Sequence, residues 1–153
     1  MNLSAPRILR KVTGDFAVQT CCMPVSEDRP TIGGIVLWKD KENFLRLERG
    51  MRGEREIALE AYINNEGACI GRGHLTPYTQ RVFLRLERIG SRINALCSSD
   101  GEEWLSVGHA DFPVDDPVEI GLYANGNIDR TIYHGAFPDG TAIRFQNFQL
   151  WTD

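Results

Sequence analysis

Nearly every apolar stretch of this 153-residue chain alternates with a period of two, and turn formers interrupt the alternation at short, even intervals. In Glu56–Ile63, Ile57, Leu59, Ala61 and Ile63 fall on one side of an extended chain, with Glu56, Ala58, Glu60 and Tyr62 on the other. In Val118–Ala124 the apolar residues Val118, Ile120, Leu122 and Ala124 likewise oppose Glu119, Gly121 and Tyr123. Successive side chains of a strand point to opposite faces, so this pattern describes half-buried strands rather than helices. The alternation predicts strands at 7–12, 15–23, 31–38, 43–48, 56–63, 81–87, 92–97, 104–110, 118–124 and 143–151. Thr13-Gly14-Asp15, Asn64 to Gly67, Ile89-Gly90, Asp100-Gly101 and Asn125-Gly126 supply turn chemistry between them. Short strands at such spacing form antiparallel sandwiches or barrels, not βαβ units. The expectation is one all-β domain over residues 1–153, almost without helix, in which each strand has a core face and a wetter face.

The strand faces nominate a core of Leu45, Leu47, Leu59, Leu84, Leu86, Ile93, Ile120, Leu122 and Phe148. In the last strand Ile143 and Phe145 are odd whereas Phe148 and Leu150 are even, so a β-bulge near Gln146-Asn147 is needed to keep one inward face. Gly33-Gly34 opens a strand where a side chain is unwanted, for a bulge or for close approach of another backbone. Ser98-Ser99-Asp100-Gly101 reads as a hairpin turn with Gly101 at positive φ and Trp104 covering the loop.

Charge and cysteine content narrow the partners. Seventeen basic against 21 acidic residues leave a net charge of −4, which gives no electrostatic reason to bind nucleic acid. The longest uncharged apolar run, Ile32 to Trp38, falls far short of the roughly 20 residues of a membrane-spanning helix. Pro6, Arg7, Arg10 and Lys11 break up the opening segment, so no signal peptide is visible, and a cytoplasmic location follows if Met1 is the native start. Cys21, Cys22, Cys69 and Cys97 lack the CxxC spacing of zinc or redox sites and read as packed thiols, with a Cys69–Cys97 bridge as the alternative. His74, His109 and His134 are scattered, His74 within the Gly-rich stretch 71–74 that reads as a loop. Asp111, Asp115 and Asp116 lack EF-hand spacing. No metal, cofactor or catalytic constellation is therefore expected.

One six-residue segment occurs twice, letter for letter: Phe44-Leu45-Arg46-Leu47-Glu48-Arg49 and Phe83-Leu84-Arg85-Leu86-Glu87-Arg88. The leucines of each copy face one way, the Phe, Arg and Glu the other. By the same alternation Trp38, Arg46, Glu48, Glu60, Tyr62, Arg85, Glu87 and Tyr123 are candidates for the non-core side of a single sheet. Aromatic rings cover the C–H faces of a sugar while Arg and Glu bond its hydroxyls, so this set suits a glycan groove. Gly121 beside Tyr123 would leave a shallow depression there. A salt lattice on a curved sheet, or a face docking a protein, requires the same residues.

The order of several segments resembles a known family. Gly33-Gly34-Ile35-Val36-Leu37-Trp38-Lys39-Asp40 precedes Asn43 to Glu48; then come Phe83 to Arg88, Ser98 to Trp104, Pro117 to Ala124 and Ile143 to Leu150. This resembles the DUF1349, or regulation-of-enolase-like, family of the concanavalin A-like lectin/glucanase superfamily, over about Arg7 to Trp151. The resemblance implies a jelly-roll sandwich of two antiparallel sheets, one concave and one convex, with the terminal strands paired. It implies no single activity, because the superfamily holds lectins, glycosidases, binding modules and scaffolds. A laminarinase-type Glu-Ile-Asp-x-Glu motif has its nearest counterpart in Glu56-Ile57-Ala58-Leu59-Glu60, which has Ala58 in place of the aspartate. On a regular strand Glu56 and Glu60 lie about 13 Å apart at Cα, whereas retaining carboxyl pairs sit about 5–5.5 Å apart and inverting pairs about 6.5–9.5 Å. Only a bulge would bring them together. The readings left open are a non-catalytic module binding carbohydrate on the concave sheet and a protein-interaction or regulatory module, with a glycoside hydrolase behind both.

Overall fold

The computed structural model describes residues 7–25, 31–50, 55–75, 80–124 and 142–152. These form eleven strands and no helix: β1 (Arg7–Val12), β2 (Phe16–Pro24), β3 (Gly33–Asp40), β4 (Asn43–Arg49), β5 (Glu56–Ile63), β6 (Glu66–His74), β7 (Val82–Ile89), β8 (Arg92–Ser98), β9 (Leu105–Asp111), β10 (Val118–Ala124) and β11 (Ile143–Thr152). One sheet has the order β1-β10-β3-β4-β5-β6, the other β11-β2-β7-β8-β9. All neighbours are antiparallel, giving a two-layer jelly-roll sandwich. The terminal strands do not pair with each other: β1 lies at the edge of the six-stranded sheet against β10, and β11 at the edge of the five-stranded sheet against β2.

Ten strands stand where the alternation puts them. The eleventh, β6, occupies the stretch read as a glycine-rich loop, so His74 ends a strand. Its glycines are steric requirements rather than breaks. A Cβ at Gly71 would collide with the Val107 carbonyl of β9, and one at Gly67 would enter the Tyr62 ring. β6 and β9 are edge strands of opposite sheets whose backbones touch here, closing one side of the sandwich. Gly33 and Gly34 resolve in the same way: Cβ atoms there would strike the Tyr123 and Leu47 carbonyls of the flanking strands.

The core lies between the sheets. Leu45, Leu47, Leu59, Leu84, Leu86, Ile93 and Ile120 are fully buried in it, and Leu122 packs against it partly covered. The two copies of the repeat face each other across the sandwich, β4 in one sheet and β7 in the other, with their leucines turned inward. The bulge expected in the last strand is present between Gln146 and Gln149, with Asn147 at φ 54°. It carries Ile143, Phe145 and Leu150 to the core side. Phe148 was expected inside but lies within the bulge and is 41% exposed.

The closing Arg of each copy shares the leucines' parity and is buried at the end of its strand. Arg49 donates to the Gln80 carbonyl at 2.5 Å. Arg88 donates to the Val114 and Gly14 carbonyls at 3.2 and 3.3 Å and pairs with Asp116 at 2.6 Å. The guanidinium beside Asp116 holds that carboxyl below its usual range. Neither Arg is part of a surface salt lattice. The cysteines are free thiols, Cys21, Cys22 and Cys97 buried and Cys69 partly so. Burial pushes the Cys22 thiol up and that of Cys97 to about 11, which keeps both protonated.

Leu47→Ala and Leu86→Ala should each destabilise the fold by about 2–5 kcal/mol, and Phe148→Ala by less than about 1 kcal/mol. Urea denaturation of the three variants measures this; equal losses would show that the bulge does not hold Phe148 outside.

Candidate functional site on the six-stranded sheet

Strand register sets the outer face of the six-stranded sheet in rows. One row runs Lys11, Glu119, Trp38, Phe44, Tyr62, Gly67; the next Leu9, Gly121, Val36, Arg46, Glu60, Cys69; the third Arg7, Tyr123, Gly34, Glu48, Ala58, Arg72. Six of the eight candidate residues meet on this face: Trp38, Arg46, Glu48, Glu60, Tyr62 and Tyr123. Arg85 and Glu87 do not. They project from β7 on the outer face of the other sheet, because the second copy of the repeat belongs to that sheet.

Across the first row the rings form a ladder. Trp38 stacks on Phe44 with centroids 5.2 Å apart, and Phe44 on Tyr62 at 4.7 Å. The Arg7 guanidinium lies 4.2 Å from the Trp38 centroid. Phe44 was not among the candidates although it shares the parity of Arg46 and Glu48; that parity was the available signal.

In the second and third rows Arg46 is the hub. It pairs with Glu60 at 2.5 Å and faces Glu48 at 3.8 Å, and the Tyr123 hydroxyl donates to the same Glu48 carboxylate. Tyr123 was expected beside a wet depression. It is instead 5% exposed, Glu48 is wholly buried, and a Cβ at Gly121 would collide with the Ile8 carbonyl of β1, so Gly121 admits a backbone rather than leaving a hollow. The centre of this outer face is therefore dry. Half-buried Trp38 and Tyr62, with Arg46 and Glu60 at 11% and 12% side-chain exposure, are what it offers to a ligand.

Burial pushes the Glu48 carboxyl up to about 7, against the pull of Arg46 and with a further push from Glu60. Burial, with the neighbouring Glu48 charge, raises the Tyr123 phenol well above its ordinary value. Arg46 is held charged: the carboxylates around it, Glu48 first, outweigh a desolvation that acts in the opposite direction. Arg46 Nε and Glu48 Oε1 are buried without a hydrogen-bond partner among the described residues.

β5 keeps regular register against β4, and the irregularity near Glu60 places the extra residue, Ile70, in β6. Glu56 and Glu60 therefore retain strand spacing, and Glu60 is engaged by Arg46. Of the three aspartates, Asp111 ends β9, Asp116 serves Arg88, and the Asp115 carbonyl accepts from Lys39. No group of His, Cys, Asp and Glu able to hold a metal ion occurs among the described residues, and no helix there is long and apolar enough to cross a membrane.

No family model and no curated protein matches the chain. Solved structures do. A functionally unknown protein from Saccharomyces cerevisiae superposes with a TM-score of 0.68 at 17% identity, covering 95% of this chain and 74% of that one. The carbohydrate-binding module CBM66 from Bacillus subtilis gives 0.62 at 14% identity over 94% and 78%. Galectin-Ib from Xenopus laevis gives 0.59 at 11% identity over 95% and 100%. The GH43 protein BlXynB from Bacillus licheniformis also matches, but there the chain spans only 27% of that protein. With these neighbours the fold class is defined: an all-β jelly-roll sandwich of two antiparallel sheets, a fold that a carbohydrate-binding module and a galectin share.

Glu48 has a folded pKa of about 7, above its ordinary 4.5. The stability linked to it is thus fully present below pH 4.5 and lost as the pH rises through about 7. Glu48→Gln should remove this fall. Melting temperatures of both proteins between pH 4.5 and 7.5 check it, and parallel curves would exclude a buried, proton-binding Glu48.

Proposed function

We propose that the protein is a non-catalytic binding domain for a neutral glycan, engaged on the outer face of the six-stranded sheet. The observation that carries this reading is the ring ladder Trp38–Phe44–Tyr62 lying one row from the Arg46–Glu60 pair. The ladder brings half-buried Trp38 and Tyr62 to the surface on either side of buried Phe44, and the ion pair presents planar donors and acceptors already fixed in orientation. The mixed charges of Arg46, Glu48 and Glu60 disfavour a polyanion. The fold shared with a carbohydrate-binding module and a galectin supports the reading at the level of architecture. Kinship with the DUF1349 family is proposed on the ordered segments that carry the resemblance.

Glu48 and Tyr123 enter as the buried support that orients Arg46, so their truncation should cost stability first. On a glycan array the protein should retain one class of neutral saccharide. Tyr62→Ala and Arg46→Ala should lower that affinity at least about tenfold while cooperative melting is kept. An array without signal, combined with recovery of one defined protein partner through this face, would replace the reading by an interaction module. Release of reducing sugar abolished by Glu60→Gln would replace it by an enzyme.

A further inference from the structure

The outer face of the five-stranded sheet carries an open depression of about 340 Å³, with Asp15, Ala17, Glu87, Arg88, Ile89 and Trp151 in its lining. Register explains it. Trp151 of β11, Ala17 of β2 and Glu87 of β7 are consecutive across the sheet, continuing to Asn94 of β8. The small Ala17 is thus a floor between an indole on one side and a carboxylate on the other. The flanking strands stand about 10 Å apart, twice the interstrand spacing. That leaves room for one saturated six-membered ring against the indole.

The wall is fixed and open. Trp151 is 45% exposed, with the Arg85 guanidinium 5.0 Å from its ring centroid. Arg85 is itself held by Gln19 at 2.9 Å and Glu87 at 3.4 Å. Asp15, at the turn entering β2, accepts the Gly90 amide at 2.8 Å. An exposed indole and two carboxylates thus line one hollow, with the Arg85 guanidinium against the indole. Most were ordered before any ligand arrived, which lowers the entropy cost of binding. Charges of both signs line its rim, which favours an uncharged ligand over a polyanion or a cation. A volume near the lower end of small-molecule sites limits that ligand to one or two rings.

We infer that this depression is a second binding site, for a neutral mono- or disaccharide unit packed beside the Trp151 indole and the Arg85 guanidinium that lies over it, with its hydroxyls toward Glu87 and Asp15. It shares no residue with the six-stranded face and does not rest on the function proposed for that face.

Indole N–H signals in NMR spectra separate the two sites, since Trp38 reports the first and Trp151 the second. The protein is titrated with the methyl glycosides of glucose, galactose, xylose and fructose and with cellobiose and xylobiose. At least one sugar should shift the Trp151 indole and the Ala17 and Glu87 amides in a saturable manner. Trp151→Ala should weaken that binding at least about tenfold. Ala17→Leu, which fills the floor and keeps the indole, should abolish it; this second variant guards against a fold lost with the tryptophan. No saturable shift at Trp151 with any of the six sugars overturns the inference, as does binding undiminished in Ala17→Leu. Shifts confined to Trp38 overturn it and leave the first site standing, whereas shifts confined to Trp151 do the reverse.

Discussion

The described sandwich is arranged about Leu45 and Leu47 of β4 and Leu84 and Leu86 of β7, all without solvent exposure, between the two sheets. β4 and β7 lie in the interior of their respective sheets, so these leucines sit where neither edge can relax. Close packing at such a place fixes the separation and phase of the layers. Once the leucines face inward, alternation turns Arg46 and Glu48 outward from one sheet and Arg85 and Glu87 outward from the other. Both candidate surfaces are consequences of that one layer.

The same six letters have different fates because register gives them different neighbours. Around Glu48 stand Gly34, Ala58 and Tyr123, and the carboxylate is sealed with its proton affinity raised. Around Glu87 stand Ala17 and Asn94, and the carboxylate remains 31% exposed beside a hollow. A strand's own residues determine which way its side chains point. Its flanking strands, distant in sequence, determine what covers them.

This division also marks how much was legible beforehand. Alternation is local, so ten strands, the inward leucines and the bulge after Gln146 could be read from the chain. Sheet membership is not local: nothing in Phe83–Arg88 distinguishes it from Phe44–Arg49, so the alternation alone cannot separate Arg85 and Glu87 from a surface on the other side of the sandwich. β6 escaped because its glycines answer contacts with Tyr62 and Val107, which only the folded molecule brings near. Tyr123 and Phe148 depart from the exposure their parity suggests for one reason: parity indicates a face, but burial depends on what else lies upon it. The buried Arg49 and Arg88 were within reach, since both share the parity of the leucines that precede them.

The placing of the first and last strands at edges of different sheets bears on how the domain carries load. Thr152 aligns with Phe16, which follows Val12 after a three-residue turn, so the last strand ends beside the Val12 end of β1, away from Arg7. Tension applied through Arg7 and Thr152 therefore runs along the strands. It loads the β1–β10 and β11–β2 ladders in shear, where the hydrogen bonds of a ladder must fail together rather than one after another. Pulled by its ends, this sandwich should rupture at higher force than when gripped across its sheets, a contrast that single-molecule stretching from two pairs of attachment points resolves.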